Sequence, residues 1–266
     1  MSSNHHKPRK EFGQNFLIDQ AVIQKIISTI NSKQDQTIIE IGPGLGAITK
    51  LILNNCAKLI AIEIDHDLCD QLNMEFSQEI IDNKLKIINQ NVLKIDLSSL
   101  TDNNNLRIVG NLPYNISTPL LFKLFAHALY IQDMHFLLQK EVAERLVADF
   151  GNKQYGRLSI MAQYHSKINI MFYVGAKSFN PIPKIESCMV RFVPHINLPI
   201  VAYDYQHFYQ LVTAAFSQRR KILSNSIKQY CNASDLKLLG IDPMVRPEQL
   251  SVADFVKISN SLTMVN

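Results

Sequence analysis

Short apolar runs alternate with segments of helical periodicity through the first 195 residues of the chain. The runs are rich in isoleucine, leucine and valine, as buried strands are, and the segments between them repeat apolar residues at three- and four-residue spacing. The predicted strands are 37–41, 58–63, 85–88, 107–110, 134–138, 168–174 and 187–193, and the predicted helices are 48–55, 68–76, 119–129, 140–150 and 158–165. Thr118 and Pro119 predict a capped start for the third of these helices. This order predicts an α/β fold with a Rossmann-like, mostly parallel sheet and helices on both faces.

The pattern changes after Pro194. Pro194 and Pro199 bracket a predicted linker, and three amphipathic segments without intervening strands follow it, at 205–216, 221–230 and 251–262. We therefore expect two domains. The α/β domain covers 1–195 and begins with a basic segment, and a small helical domain covers 196–266.

Composition limits the classes of protein that remain. A chain of 266 residues with 47% hydrophobic and 19% charged residues can bury a core, which excludes a disordered protein. The net charge of +4 neither establishes nor excludes a nucleic-acid partner. The four cysteines lack metal-like spacing, and no segment has the apolar length of a membrane helix. We expect a soluble, cytoplasmic protein that uses no metal and does not bind a membrane.

Three of the nine glycines, Gly42, Gly44 and Gly46, form one turn between a predicted strand and a predicted helix. A phosphate-binding P-loop would need a second glycine five residues after the first, then Lys and Ser or Thr, and Ala47 occupies that place. A dinucleotide turn would need G-x-G-x-x-G, whereas this turn is G-x-G-x-G. The third interpretation is the E-x-G-x-G-x-G turn of S-adenosylmethionine-dependent methyltransferases, whose ligand lacks phosphates. A purely structural turn remains the alternative.

Two further motifs follow predicted strands. Glu63 ends the second strand, where a carboxylate can accept hydrogen bonds from both ribose hydroxyls. The strand at 107–110 runs into the sequence Asn-Leu-Pro-Tyr at 111–114, and the proline restricts the backbone so that Asn111 and the Leu112 carbonyl are held at the strand end. Both strand ends lie at the edge where open α/β sheets bind ligands.

The Asn-Leu-Pro-Tyr motif suits an exocyclic adenine amine, which is a poor nucleophile with two N–H donors. The amide oxygen of Asn111 and the Leu112 carbonyl can accept these hydrogens and bind the nitrogen more strongly as methyl transfer makes it positive. Tyr114 can stack on the base. A packed asparagine–proline turn is the alternative that this motif leaves open.

The combination resembles the class I N6-adenine methyltransferases, and within them the 16S ribosomal RNA dimethyladenosine transferases, the KsgA (RsmA) family. The matching segments span nearly the whole chain: KEFGQNFL at 10–17, GNLPYNISTPL at 110–120, FNPIPKIES at 179–187, AFSQRRKILSNS at 215–226 and GIDPMVRPEQLSVADF at 240–255. The resemblance implies a class I methyltransferase sheet and S-adenosylmethionine as cofactor. It also implies dimethylation of two adjacent adenosines near the 3′ end of 16S rRNA, in the small ribosomal subunit or its precursor, and a role in small-subunit biogenesis.

The resemblance also implies roles for individual residues. Residues of the GQNFL segment would close over the cofactor, the glycine turn would approach its methionine end, and Phe179 would stack on the target adenine opposite Tyr114. The implied cofactor-binding residues are Asn15, Leu17, Gly42, Gly44, Glu63, Asn91 and Asn111. The implied catalytic residues are Asn111, Leu112, Tyr114 and Phe179. Asn91 departs from the family pattern, which has an acidic residue there to hold the adenine amino group of the cofactor. An amide oxygen can still accept this hydrogen bond, so retained but weaker binding is expected, and Asp96 is a less favoured substitute.

Basic residues at two places provide candidate phosphate contacts. Arg219, Arg220 and Lys221 begin a predicted helix of the second domain, and Lys7, Arg9 and Lys10 lie in the N-terminal segment. A solvated charge run is the ordinary alternative. Three rival functions remain: an Erm-type methyltransferase of large-subunit RNA, a non-catalytic RNA-binding assembly factor, and a small-molecule methyltransferase. A monomer is favoured.

Overall fold

A computed structural model describes residues 8–100, 106–113, 116–218 and 220–263 of the chain. The chain divides into two compact units. The first unit contains the described residues up to 143 together with 169–194, and the second contains 144–168 and the described residues from 195 onward. The division at 194/195 falls at the predicted linker. Residues 144–168 belong to the second unit, although the sequence pattern places them in the first domain, because the helix at Arg157–His165 packs on helices of the second unit.

The strands and helices of the described residues follow in chain order. The strands are β1 (Phe16–Leu17), β2 (Thr37–Ile41), β3 (Lys58–Glu63), β4 (Leu85–Asn89), β5 (Leu106–Asn111), β6 (Ile131–Gln139), β7 (Ser166–Val174), β8 (Phe179–Asn180) and β9 (Ser187–Pro194). The α-helices are α1 (Gln20–Ile30), α2 (Thr49–Leu53), α3 (His66–Glu75), α4 (Ser77–Ile81), α5 (Ser117–Ala126), α6 (Lys140–Val147), α7 (Arg157–His165), α8 (Tyr205–Ala215), α9 (Leu223–Ser226), α10 (Ala233–Leu238) and α11 (Val252–Thr263).

Seven strands form one sheet in the order β4-β3-β2-β5-β6-β9-β7. The pairs from β4 to β6 are parallel, and β9 joins β6 in antiparallel orientation. The predicted mostly parallel α/β sheet is confirmed. Because β2, β3, β5 and β6 are parallel, their carboxyl ends lie at one edge, and the residues that follow them share that edge.

Both faces of the sheet are covered by helices. On one face, Val109 and Leu137 belong to a buried cluster with Ile26 of α1 and Leu72 of α3. On the other face, Phe125 of α5 packs on Phe192, whose ring centroid lies 6.3 Å away. Alternate residues of each strand therefore supply two cores, which explains why the strands read as nearly continuous apolar runs.

Several elements differ from the sequence prediction, which contains neither the short strands β1 and β8 nor the helices α4 and α10. Helix α1 was not predicted, although Ile23, Ile26 and Ile30 carry helical spacing and are buried. Helix α5 begins at Ser117 without a side-chain cap, so Thr118 is not its N-cap. Pro119 is then the third helical residue, where the N–H that proline lacks has no intrahelical partner in any helix. The helix predicted at 221–230 is reduced to α9.

Within the described residues, no helix is both long enough and apolar enough to cross a membrane. The same residues contain no group of three or more His, Cys, Asp or Glu side chains placed to hold a metal ion. All four cysteines are free and buried.

Candidate active site

The glycine turn after β2 has a backbone that side chains would strain. Gly42, Gly44 and Gly46 all adopt positive φ, at 67°, 59° and 75°. A Cβ on Gly44 would lie 3.0 Å from the ring of Phe16, so the turn and the N-terminal segment pack directly on each other. The turn is anchored to the sheet because the Gly42 N–H donates to the Ile62 carbonyl at 2.9 Å.

Glu63 at the end of β3 is tied to this turn. Its carboxylate accepts a hydrogen bond from the Gly44 N–H at 3.2 Å, and it also accepts from the N–H groups of Ile64 and Asp65 at 2.9 and 3.1 Å. Burial raises the pKa of the Glu63 carboxyl, and these three donors oppose the shift. The carboxylate is therefore a pre-oriented acceptor next to the turn, in the place where the sequence predicted a ribose contact.

The end of β5 brings Asn111 and Leu112 to the same edge. The Asn111 amide nitrogen donates to the Asn15 carbonyl at 2.9 Å, which assigns the other amide atom, Oδ1, as an acceptor. The Leu112 N–H donates to the Leu137 carbonyl at 3.3 Å, which fixes the peptide between Asn111 and Leu112. A side chain on Gly110 would place its Cβ 2.5 Å from the Ile41 carbonyl oxygen, so β2 and β5 approach as closely as they do only with glycine at position 110.

These groups line one cavity with about 940 Å³ of empty volume, part of it open to solvent. Six consecutive residues of the N-terminal segment, Phe12 to Leu17, form one wall. The predicted site residues that the structure brings together here are Asn15, Leu17, Gly42, Gly44, Glu63, Asn111 and Leu112. The acidic lining residues are Glu40 and Glu63, and no lysine or arginine of the described residues lines the cavity.

Two buried polar residues of the cavity, Glu40 and His135, have no role in the sequence-based expectations. Neither carboxylate oxygen of Glu40 has a hydrogen-bond partner among the described residues. Burial raises the pKa of Glu40 to about 8, the Thr49 hydroxyl opposes the shift without reaching good hydrogen-bond geometry, and the charge of Glu63 adds to it. Burial likewise lowers the pKa of His135 to about 4. The signal for Glu40 was its place in an otherwise apolar strand directly before the glycine turn.

The structure does not place Asn91 at the cavity. Its side-chain oxygen accepts the Leu93 N–H at 2.9 Å and caps the short helical turn at Val92–Lys94. Asn91 is absent from the residues that line the cavity. The expected contact with the cofactor adenine is therefore replaced, in this conformation, by a local capping role.

The expected stacking of Phe179 on the target base stays a prediction, because in this conformation the ring lies away from the cavity. Phe179 is only 1% exposed and belongs to the buried cluster beneath the sheet edge. It pairs with Leu17 in the small β1–β8 ladder and does not line the cavity. In this conformation neither face of its ring is presented to a ligand, because pairing of β8 with β1 turns the ring into the core.

The remaining predicted residues are distributed as follows. Tyr114 and Arg219 lie outside the described residues, as does Lys7. Arg220 and Lys221 are exposed, but they precede α9 instead of starting a long helix. Arg9 forms ion pairs with Asp65 and Asp67, at 3.2 and 2.5 Å, so the arginine expected to contact phosphate is engaged within the protein.

The parallel sheet, with a glycine turn and an acidic residue at the ends of its first two central strands, defines a class I methyltransferase fold. The family model for ribosomal RNA adenine dimethylase matches residues 5–264. The chain belongs to that family.

Individual relatives agree with this assignment. Ribosomal RNA small subunit methyltransferase A of Pseudomonas fluorescens is 48% identical over 97% of this chain and 94% of its own length. Its namesake in Coxiella burnetii is 46% identical over 96% of this chain and 97% of its own. The crystal structure of a dimethyladenosine transferase from Plasmodium falciparum has a TM-score of 0.80 at 25% identity, covering 94% of this chain and 98% of that one. The structure of the 23S rRNA methyltransferase ErmE has a TM-score of 0.71 at 21% identity, covering 92% and 100%, which shows the shared fold.

Proposed function

We propose that this protein transfers methyl groups from S-adenosylmethionine to the N6 amines of two adjacent adenosines near the 3′ end of 16S rRNA. The substrate is the small ribosomal subunit or its precursor, and the modification contributes to small-subunit biogenesis in the cytoplasm. The observation that carries the cofactor assignment is the chemistry of the cavity lining, which has two carboxyl groups, one of them the hydrogen-bonded carboxylate of Glu63, and no lysine or arginine among the described residues. A ligand with phosphates would be repelled there, whereas a cationic ligand with ribose hydroxyls is complementary.

The residues present fit S-adenosylmethionine part by part. Glu63, already oriented by three N–H donors, would accept the ribose hydroxyls. The positive-φ turn at Gly42 and Gly44 lets the backbone approach the methionine end, and the unpartnered carboxyl of Glu40 lies in the same cavity. When bound, the cofactor supplies an electrophilic methyl group carried on a sulfonium.

Asn111 and Leu112 would bind the target amine. Asn111 Oδ1 would accept a hydrogen bond from the target amine, because the amide nitrogen of Asn111 donates to the Asn15 carbonyl. The Leu112 N–H holds the preceding peptide to Leu137, and Pro113 restricts the backbone that carries the Leu112 carbonyl. Both acceptors interact more strongly with the amine as its nitrogen becomes positive, so they stabilise the transition state more than the ground state. Tyr114, two positions after Leu112, supplies the ring on which the target base stacks.

We assign RNA binding outside the cavity to the second unit, with Arg219, Arg220 and Lys221 as phosphate contacts. Arg220 and Lys221 are exposed, as this role requires. A monomer is sufficient for this mechanism, because every residue used in it comes from one chain.

The test is a labelled-cofactor assay on unmethylated small subunits, followed by mapping of the modified bases. We expect label on two adjacent adenosines of the small-subunit RNA. Asn111→Ala should lower turnover at saturating cofactor by roughly 10²- to 10³-fold, the effect typical of losing one group that stabilises the transition state, while thermal unfolding changes little. The exposed Asn152→Ala serves as the matched control. Label only in large-subunit RNA would overturn the substrate assignment, and normal dimethylation by Asn111→Ala would overturn the mechanism.

A further inference from the structure

Residues 8–17, called here the N-terminal strap, form one wall of the cavity through Phe12 to Leu17. The far end of the strap is held to the sheet edge at two places. The Asn15 carbonyl accepts from Asn111, and Phe16 and Leu17 pair with β8. The strap has to move for a bulky ligand to pass this wall, so the contacts that hold its near end can slow the exchange of ligand on this side of the cavity.

The near end of the strap is held by Asp65, two residues beyond Glu63. The Gln14 side-chain nitrogen donates to Asp65 Oδ2 at 2.8 Å, and Arg9 Nη1 lies 3.2 Å from Asp65 Oδ1. The second guanidinium nitrogen of Arg9 donates to Asp67 at 2.5 Å. The Arg9 backbone N–H donates to the Gln14 side-chain oxygen at 2.7 Å, which closes a ring of contacts.

Burial distinguishes this cluster from an ordinary surface ion pair. The Asp65 side chain is completely buried, and the side chain of Arg9 is 38% exposed. Exposed pairs contribute little because water and salt screen them, whereas a buried carboxylate needs its donors. Asp65 also caps the start of α3 by accepting the Asp67 N–H at 3.1 Å, so it is fixed to the same segment that positions Glu63. The strap is therefore anchored to the element that presents the expected ribose contact.

We propose that Arg9 and Gln14 are positioning residues that, through Asp65, hold the N-terminal strap closed over the cavity and slow the release of an adenosyl cofactor. This inference rests on the proposed function. It gives Arg9 a task within the protein that differs from the phosphate contact expected of a basic terminus. The contacts stabilise the closed strap, so their loss increases the rate of cofactor release and leaves the chemistry at Asn111 unchanged.

The experiment compares Arg9→Met and Gln14→Leu with the wild type and with Arg246→Met, a substitution of an exposed arginine in the second unit. Methionine keeps an apolar stem beside Phe12, over whose ring the guanidinium lies at 5.9 Å. Stopped-flow measurements give the dissociation rate of S-adenosylmethionine at about 50 and about 500 mM salt, a range over which screening of a half-exposed pair changes strongly. Steady-state assays give KM for the cofactor and kcat.

We expect Arg9→Met to release the cofactor about tenfold faster, equivalent to the loss of about 1.4 kcal/mol, and to lose most of the salt dependence seen in the wild type. KM for the cofactor should rise while kcat at saturating cofactor stays the same. Gln14→Leu should act in the same direction, Arg9→Lys should restore part of the effect, and Arg246→Met should behave as the wild type. Unchanged release by Arg9→Met, or a loss confined to RNA affinity, would overturn the proposal.

Hydrogen exchange of residues 12–17 in the cofactor-free protein provides a readout that does not depend on the proposed function. Faster exchange there in Arg9→Met, with the unfolding midpoint unchanged, is the expected result, because the strap opens without global unfolding. Equal exchange in the variant and the wild type would contradict the proposal that Arg9 and Gln14 hold the strap closed, even if the protein binds no adenosyl cofactor. Failure of the wild type to bind cofactor, together with faster exchange in the variant, would instead count against the proposed function alone.

Discussion

Gly110→Ala tests whether β2 and β5 approach each other so closely at the active-site edge that position 110 requires glycine. The added Cβ would lie 2.5 Å from the Ile41 carbonyl oxygen and 3.2 Å from a Leu112 methyl group. Ordinary contact begins near 3.4 Å, so the strands must separate by about 1 Å at the centre of the sheet. Overpacking of this kind costs roughly 1–3 kcal/mol, and weakened ladder hydrogen bonds add about 1 kcal/mol each. We expect a total loss of about 3 kcal/mol.

Gly175→Ala is the matched control. Gly175 has φ −67° and no atom within 4 Å of its would-be Cβ. The same substitution there should be neutral or stabilise by up to about 1 kcal/mol, because alanine reduces the entropy of the unfolded chain. Urea unfolding followed by circular dichroism gives both values. If the two variants differ by less than about 0.5 kcal/mol, a difference typical of unstrained surface sites, the reasoning about strand approach is refuted.

Three further predictions concern charge and the glycine turn. The pKa of Glu40 in the folded protein, about 8, lies above the ordinary 4.5. The contribution of this carboxyl to the free energy of unfolding is therefore complete below about pH 4.5. It is lost as the pH rises toward about 8, by at most roughly 5 kcal/mol. Glu40→Gln should therefore become more stable relative to the wild type across that range in urea unfolding, and parallel pH profiles would contradict this. Asp133→Ala should lower the free energy of unfolding by about 3–5 kcal/mol, because it leaves the buried guanidinium of Arg107, now 2.7 Å from Asp133, without its carboxylate partner. The double variant Asp133→Leu with Arg107→Met should recover most of this loss in the same assay. Gly44→Ala should strain a residue at φ 59° by about 1–2 kcal/mol and displace the ring of Phe16. Calorimetry should therefore show weaker cofactor binding. An unchanged dissociation constant would argue against a role for this turn in cofactor binding.

Much of the fold could be predicted because strong local signals agreed with the tertiary structure. The predicted bounds of β2 and β3 match the structure, since both strands are buried on two faces and read as nearly continuous apolar runs. Glu63 and Asn111 could be placed at one edge because parallel strands bring their carboxyl ends together. Local signals were weaker in the second unit, where the helix predicted at 221–230 contains only the four-residue α9.

Local periodicity and short motifs were enough to predict the alternation of strands and helices, the glycine turn, and the residues that follow β3 and β5. What lies opposite each of these residues depends on the tertiary structure. It turned Phe179 into the core through the β1–β8 ladder, and gave Asn91 a capping role. It left the oxygens of Glu40 without a hydrogen-bond partner among the described residues, and brought Arg9 to Asp65 across more than fifty residues of chain. Contacts between segments so distant in sequence depend on how the packed elements meet, and no local pattern in the chain records that geometry.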